Sequence, residues 1–193
     1  MNFAKPIKDK DQLKKFRDYY LEENYMPRNY ALLVLGLNTA LRISDLLSIH
    51  WRDIWDFTRN CPLEHLDLIE SKTKKRSRIA LNNKVKEVLL LYNKTLPKVD
   101  GQDFLFPSPK CPLKPLSRSQ AFRIVKQAAN EAGIDDTISC HSMRKTFGYQ
   151  ACKQGIAPAI LMNIYNHSSY QITKRYLDID QDDRDETFIK VTI

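Results

Sequence analysis

The sequence lacks the features of membrane-spanning and secreted chains. Its 193 residues contain no apolar run near the roughly 20 residues that cross a bilayer. Residues 1–16 show no apolar stretch followed by a cleavage site. These absences argue against a membrane partner and predict a cytoplasmic protein of bacterial or phage origin that associates with the nucleoid. Repeats and low-complexity stretches are also missing, and the 42% hydrophobic content is typical of a folded domain.

Paired cysteines and paired carboxylates are missing as well. The four cysteines are scattered without a CxxC pair, which argues against a disulfide framework and a zinc site. The acidic C-terminal run begins like a calcium loop with Asp178, Asp180 and Asp182. However, Asp183 stands where a turn glycine is required, and Ile189 where a bidentate glutamate is required. We therefore expect no metal ion and no cofactor.

Positive charge is what the chain has in excess. Thirty-one Lys and Arg against 23 Asp and Glu give a net charge of +8 at pH 7, and acidic residues collect after Asp178. The rest of the molecule is therefore more basic than the total indicates. Such a composition predicts a polyanionic partner.

Hydrophobic periodicity predicts a mainly α-helical fold with a small antiparallel β-sheet of two or three strands between residues 52 and 81. Asp9 with Gln12, and Ser117 with Gln120, form capping patterns at two helix starts. Ser44 is predicted to cap a short helix. The predicted helices cover, in order, residues 10–23, an apolar segment from Pro27, the short helix after Ser44, residues 82–95, 117–131 and 139–153, a segment from Pro158, and the stretch SSYQITKRYL.

The segment HSMR places His141 and Arg144 three residues apart on a predicted helix, where they share one face. A guanidinium matches phosphate oxygens, and an imidazole exchanges a proton near neutral pH. Taken alone, the pair is better explained as a solvated arginine beside a half-buried histidine. Arg42 has an equally simple explanation as a cation at a helix C-terminus, and Asp45, three residues later, could orient it.

Two further segments carry candidate groups. The segment SKTKKRSRIAL is a basic hairpin whose charges are ordinarily explained as solvated protection of a strand edge. The segment NHSSYQITKRYL places His167 nine residues before Tyr176. The order of an arginine, a lysine hairpin, an HxxR pair, a histidine and a tyrosine supplies the groups for metal-free phosphoryl transfer. The basic hairpin residues are Lys72, Lys74, Lys75, Arg76 and Arg78.

Three segments, TALRISDLLSIHWRDI, HSMRKTF and NHSSYQITKRYL, resemble in order the three catalytic boxes of the tyrosine recombinases, the phage integrase family. The resemblance covers about residues 10–180 and implies a recombinase catalytic domain that cleaves and rejoins double-stranded DNA through a 3′-phosphotyrosine. It also implies a homo-oligomer of up to four protomers assembled on DNA. The implied catalytic residues are Arg42, Lys72, His141, Arg144, His167 and Tyr176, with Asp45 in support and Lys74, Lys75, Arg76 and Arg78 on DNA.

The chain departs from the family pattern at several points. It has YNH where the family usually has LGH, and Ala40 where a glycine is usual. Asn166 tolerates a left-handed backbone well. Most members carry an N-terminal DNA-clamping domain, for which the residues before Asp9 leave no room. We therefore expect an excised catalytic domain or a single-domain member, with residues 1–180 as one domain and 181–193 as a solvated tail or a contact for a neighbouring protomer.

Two rival functions stay open at this point. A catalytically silent DNA-binding regulator would share the fold, but every catalytic residue type is present. A strand-nicking enzyme like the type IB topoisomerases would share the catalytic residues, but the amino-acid sequences of the three boxes resemble those of the recombinases.

Overall fold

The computed structural model describes residues 4–178, apart from the side chain of Arg175, together with residues 185, 188, 189 and 191. Most of the predicted tail, and of the calcium-like run, lies outside the described residues. None of the described helices is long and apolar enough to cross a membrane. The described helices are α1 (Lys10–Glu22), α2 (Pro27–Asn38), α3 (Ile43–Leu47), α4 (Asn83–Lys94), α5 (Arg118–Glu131), α6 (Cys140–Lys153), α7 (Pro158–Ile164) and α8 (Tyr170–Leu177).

Side-chain contacts explain where two of the predicted helices begin. The Ser117 hydroxyl accepts a hydrogen bond from Gln120 N at 3.1 Å, and the Gln120 amide oxygen accepts one from Ser117 N at 2.8 Å, which confirms the capping box of α5. Asp9 caps α1 by accepting from Gln12 N at 2.7 Å. The Gln12 side chain instead donates to Gly133 O at 2.8 Å, so a tertiary contact replaces the second half of that box.

The short helix α3 begins earlier than predicted. Arg42, in extended conformation with ψ of 148°, occupies the N-cap position without a side-chain cap, and its carbonyl accepts from Asp45 N at 2.9 Å. Ser44 lies inside the helix, with its hydroxyl 3.3 Å from Ser71 Oγ. The prediction that Ser44 caps this helix is therefore wrong, because the chain enters α3 at Ile43.

The described residues form six short strands in three antiparallel pairs, where the sequence predicted two or three strands. The pair β5–β6 lies in a proline-rich loop that was not predicted as sheet, since proline cannot donate to a ladder. The longest ladder pairs His65 with Ala80 at one end and Ile69 with Arg76 at the other, leaving residues 70–75 as its turn. The strands are β1 (Trp55–Asp56), β2 (Cys61–Pro62), β3 (His65–Ile69), β4 (Arg76–Ala80), β5 (Pro107–Ser108) and β6 (Cys111–Pro115).

Two hydrophobic clusters hold these elements together. A large core surrounds α2, which is buried on nearly all sides as its apolar sequence predicted, and takes in residues of α1, α4 and α5. A small core consists of Ala40, Leu161, Tyr165 and Leu177 and supports α7 and α8. We use the names large core and small core for these clusters below.

Candidate active site

Tyr176 lies on α8 with its hydroxyl beside His141, the second residue of α6. The Tyr176 Oη lies 2.5 Å from His141 Nε2, and the two rings meet edge-on with centroids 4.9 Å apart. Neighbouring Leu177 is fully buried in the small core, whereas Tyr176 is half-buried. Burial of Leu177 therefore orients α8 so that the phenol lies within proton-transfer distance of an imidazole.

His167 follows α7 in a short segment, residues 165–167, which we call the histidine turn. Its ring centroid lies 5.0 Å from that of Tyr176, and its Nδ1 is 3.0 Å from the hydroxyl of Thr173 on α8. Asn166 has a φ of 53°, the left-handed conformation that the sequence predicted it would tolerate. The turn thus places a second imidazole beside the phenol.

Arg144 extends from α6 across the small core and is only 2% exposed. Its Nη1 donates to Ala40 O, and its Nη2 donates to Tyr165 O at 3.0 Å. Ala40 has a φ of 55°, the left-handed region that favours the glycine usual in the family. The guanidinium carbon lies 5.9 Å from the Tyr176 ring centroid. Two carbonyls therefore fix the guanidinium beside the phenol.

Tyr165 is a residue of this site that sequence reasoning missed. Its hydroxyl donates to Arg144 O at 2.8 Å, and the Arg144 guanidinium lies 4.6 Å from its ring centroid. The same ring stacks on His167 at 5.1 Å and lies 4.9 Å from Tyr176. Its departure from the leucine of the family pattern was the available signal, because an aromatic ring there contacts three of the predicted catalytic side chains.

Arg42 lies at the entrance of α3 and is held by a second missed residue, Glu70. Arg42 Nη1 donates to Glu70 Oε2, with the Arg42 side chain 20% and the Glu70 side chain 3% exposed. Glu70 follows β3 directly and is the first residue of the turn that carries Lys72. The only indication of this role in the sequence was a single carboxylate directly before the basic residues of the hairpin.

Asp45 contacts the basic hairpin rather than Arg42. Its Oδ1 accepts hydrogen bonds from Ser71 N at 2.9 Å and from Ser71 Oγ at 2.5 Å. The suggestion that Asp45 orients Arg42 is therefore corrected: Glu70 holds the arginine, and Asp45 fixes the start of the turn. A supporting role for Asp45 remains a prediction.

Residues 70–75, which we call the lysine turn, carry Lys72 on an exposed surface. Within the described residues Lys72 makes no hydrogen bond, ion pair or ring contact, so the structure does not join it to the cluster around Tyr176. Lys74 adopts a φ of 58°, which lets the turn reverse. Arg78 on β4 pairs with Asp67 at 3.3 Å. Lys75 and Arg76 are exposed beside it.

The protein environment lowers the pKa of both histidines of the cluster to about 4. For His141 the largest cause is displacement of water by surrounding protein, followed by the positive charge of Arg144, although the residue as a whole is exposed. His167 has the same two leading causes. Removal from water also raises the pKa of Tyr176, although Arg144 and then Arg42 oppose that rise. The free protein at neutral pH therefore has neutral imidazoles that can accept a proton from a neutral phenol.

Lys145 is a third residue that the sequence did not single out. It is 8% exposed, and its Nζ lies 5.6 Å from the Tyr176 ring centroid. Burial lowers its pKa, while the charge of Asp178 opposes that change. Its position directly after Arg144 in a helix was not a distinctive signal, since surface lysines are common there.

The geometry thus collects two guanidinium groups, two imidazoles and one phenol at the meeting point of α3, α6, α8 and the histidine turn. Such a set can stabilise anionic oxygens and move a proton to or from a nucleophile. Within residues 4–178 and the few described beyond them, no group of three or more His, Cys, Asp or Glu is placed to hold a metal ion.

Comparison with known sequences gives a consistent assignment. A model described as the phage integrase family matches residues 8–183. The probable integrase/recombinase YoeC of Bacillus subtilis (strain 168) is 37% identical over 182 residues, which cover 94% of this chain and 93% of that protein. The type 1 fimbriae regulatory protein FimE of Escherichia coli (strain K12) is 26% identical over 152 residues, covering 77% of this chain and 73% of that one.

Solved structures agree in fold. A recombinase named XerA has a TM-score of 0.78 at 18% identity, covering 99% of this chain and 68% of that chain. A lambda integrase dimer bound to a COC′ core site has a TM-score of 0.70 at 21% identity, covering 100% of this chain and 65% of that one. The architecture is that of a tyrosine recombinase catalytic domain. Since the family match extends over residues 8–183 and YoeC is similar along nearly its whole length, the chain belongs to the phage integrase family.

Proposed function

We propose that this chain is the catalytic domain of a site-specific DNA recombinase that cleaves and rejoins DNA through a 3′-phosphotyrosyl intermediate. The observation that carries the proposal is the 2.5 Å contact between Tyr176 Oη and His141 Nε2, with Arg144 beside the same phenol. A tyrosine is a weak nucleophile because its phenol pKa is near 10. It therefore needs both a proton acceptor and nearby cations, and this cluster supplies both.

In the proposed first step, the Tyr176 oxygen attacks a phosphorus of the DNA backbone. His141 accepts the phenol proton, and a new bond forms between the Tyr176 oxygen and phosphorus. Arg42, Arg144 and His167 stabilise the negative charge on the non-bridging oxygens. The guanidinium groups offer directional donors that suit phosphate oxygens.

The bond from phosphorus to the 5′-oxygen then breaks, and that oxygen needs a proton. We assign this proton to Lys72. Its turn is exposed in the free protein, so the lysine can approach the 5′-oxygen once DNA is bound. A 5′-hydroxyl from another strand can reverse the step, because the phosphotyrosine conserves the energy of the original phosphodiester. Neither step requires a metal ion in this proposal.

Double-stranded DNA is the proposed substrate, and a homo-oligomer of up to four protomers the proposed assembly. The net charge of +8 favours a polyanion. Among the similar structures, lambda integrase is a dimer on a core site, and XerH is bound to a palindromic difH substrate in a post-cleavage complex. Lys74, Lys75, Arg76 and Arg78 are the proposed contacts to the DNA backbone.

Covalent capture tests the proposal without knowledge of the target site. The purified protein is incubated with a nicked DNA duplex library of randomised sequence, denatured with detergent, and the attached DNA is recovered and sequenced. We expect a denaturation-resistant adduct that forms equally well in chelator. Loss of the adduct in chelator, with recovery in magnesium, would contradict the metal-free mechanism.

Two tyrosine variants on α8 provide the matched comparison. Tyr176→Phe should abolish the adduct, whereas Tyr170→Phe should retain it, because Tyr170 is 49% exposed at the start of the helix. An adduct that survives Tyr176→Phe contradicts the assignment. Adduct formation without strand exchange between two duplexes favours a topoisomerase-like enzyme, and binding without any adduct favours a silent regulator.

A further inference from the structure

Glu70 is a buried carboxylate that accepts hydrogen bonds from four side chains. Its Oε1 accepts from Ser77 Oγ at 2.8 Å and from Asn166 Nδ2 at 2.7 Å. Its Oε2 accepts from Thr73 Oγ1 at 2.9 Å and from Arg42 Nη1. A buried charge is stable only when such partners replace water.

The four partners belong to different parts of the candidate site. Thr73 lies in the lysine turn and Ser77 on β4, whereas Asn166 directly precedes His167 in the histidine turn. The backbone of Glu70 also closes the lysine turn: its N–H donates to Lys75 O at 2.9 Å, and its carbonyl accepts from Lys74 N at 2.9 Å. One side chain therefore connects the segment that carries Lys72 to the segment that carries His167.

Ionisation of Glu70 is consistent with this set of contacts. Burial alone would raise the pKa of its carboxyl group, but the hydrogen bonds from its partners hold the pKa below the ordinary value. Glu70 therefore remains a carboxylate at neutral pH. Its hydrogen bond with Arg42 involves Nη1 and not the other guanidinium nitrogens.

We propose that Glu70 is a positioning residue that couples the lysine turn to the histidine turn and to Arg42, so that the general acid and the phosphate-binding groups are placed together. The coupling runs through the Asn166 side chain, which stands where the family usually has a glycine. The inference rests on the proposed function for its catalytic consequence. The structural coupling itself can be tested without DNA.

Asn166→Gly removes one contact of Glu70 without disturbing the backbone, because glycine adopts the φ of 53° at Asn166 at no steric cost. Asn60→Gly is the matched control. Asn60 has a φ of 52° in the turn between β1 and β2 and is exposed. Both variants change the same residue type in the same backbone conformation, but only one loses a bond to Glu70.

Hydrogen exchange of the free protein measures the coupling. In Asn166→Gly we expect faster exchange of the amides of Glu70 and Lys74, which lie more than 90 residues away in sequence. Asn60→Gly should leave these amides unchanged. Unchanged exchange in Asn166→Gly overturns the proposed coupling, whatever the protein does to DNA.

Cleavage kinetics test the catalytic consequence on a duplex selected by covalent capture. Asn166→Gly should slow cleavage of the natural duplex by up to about 10²-fold, the scale of a displaced catalytic group. A duplex with sulfur at the bridging 5′-position needs little help from a general acid. The ratio of the sulfur rate to the natural rate should therefore rise in Asn166→Gly and stay at the parent value in Asn60→Gly.

A defect of equal size on both duplexes indicates a purely structural role and overturns this part of the proposal. Absence of any adduct with the parent protein on either duplex is a different outcome. It contradicts the proposed function, while the exchange experiment still decides whether Glu70 couples the two turns.

Discussion

The two halves of the candidate site differ in what supports them. Arg42 lies between Leu41 and α3, next to the large core, which is built from several helices. Tyr176 lies on α8, which contributes Leu177 to the four-residue small core and is also held by polar contacts. Arg42 is therefore anchored beside the most extensively packed part of the molecule, and Tyr176 is not.

The two halves should therefore differ in how easily they change conformation. A segment with few buried apolar contacts can open locally while the rest of the domain stays folded. The contacts of α8 with its surroundings include the hydrogen bond between Thr173 and His167 and the ion pair of Lys5 with Asp178 at its end. We expect α8 to adjust on DNA while Arg42 keeps its position.

The largest effect that we expect concerns Lys72, the predicted residue that lies apart from both halves. Lys72→Ala should slow cleavage of the natural duplex by about 10²–10⁴-fold, the usual contribution of a general acid. On the sulfur-bridged duplex the same variant should cleave at nearly the parent rate. Single-turnover cleavage of the two duplexes measures this difference.

Arg144→Ala is the comparison for that experiment. It should remain slow on both duplexes, because Arg144 stabilises charge on oxygens that the sulfur substitution leaves in place. Selective recovery in Lys74→Ala or Lys75→Ala, but not in Lys72→Ala, would move the general acid to another position of the lysine turn. If no lysine variant recovers, the idea of a lysine general acid is wrong.

Leucine substitutions test the contrast between the two cores. Leu33 and Leu177 are both fully buried, and replacing either with alanine should cost about 2–5 kcal/mol. In Leu33→Ala, amide exchange should accelerate throughout the domain, since α2 forms the large core. In Leu177→Ala, acceleration should be confined to α7 and α8. Equal loss of protection in α2 and α8 of Leu177→Ala would contradict the contrast.

The two histidines give the nucleophile side a pH dependence. Their pKa values are about 4, against an ordinary value of 6.5. Between these values the unfolded chain binds more protons than the folded one, so the free energy of unfolding should fall as the pH decreases from 6.5 towards 4. Denaturant titrations across this range measure the slope.

The variant His141→Gln/His167→Gln should flatten that slope. The control is His65→Gln on β3, away from the cluster, which should leave the slope close to that of the parent protein. A double variant with the parent slope would show that other groups cause the pH dependence.

The smallest effect concerns the contact between the N-terminal segment and the end of α8. Lys5 Nζ lies 3.3 Å and Lys8 Nζ 3.7 Å from the Asp178 carboxylate. Asp178→Asn removes this charge, and asparagine tolerates the φ of 53° at that position. Because such pairs are partly solvated, the loss should be only about 0.2–1 kcal/mol.

The salt dependence of amide exchange in α8 distinguishes the contribution of this ion pair from that of apolar packing. Amide exchange in α8 of the parent protein should accelerate as salt screens the pair. In Asp178→Asn it should no longer respond. An identical salt response in both proteins would mean that the pair does not hold α8.

The sequence predicted the positions of the helices better than it predicted the contacts that hold the candidate site residues in place. Capping patterns and periodicity are local, so α5 and α6 could be located from the sequence. Glu70 and Tyr165 act through partners that are distant in sequence, and no local pattern identifies such contacts. The strands β5 and β6 were missed because their prolines contradict ordinary strand signals.

The identity of the nucleophile is the central claim, and peptide mapping of the captured adduct tests it most directly. The chain has nine tyrosines, and trypsin cleavage after Lys174 and Arg175 separates Tyr176 from Tyr165 and Tyr170. After nuclease digestion, mass spectrometry should find the residual nucleotide on the peptide that begins at Tyr176. A nucleotide on the peptide that contains Tyr165 and Tyr170, or on any other residue, would contradict the account.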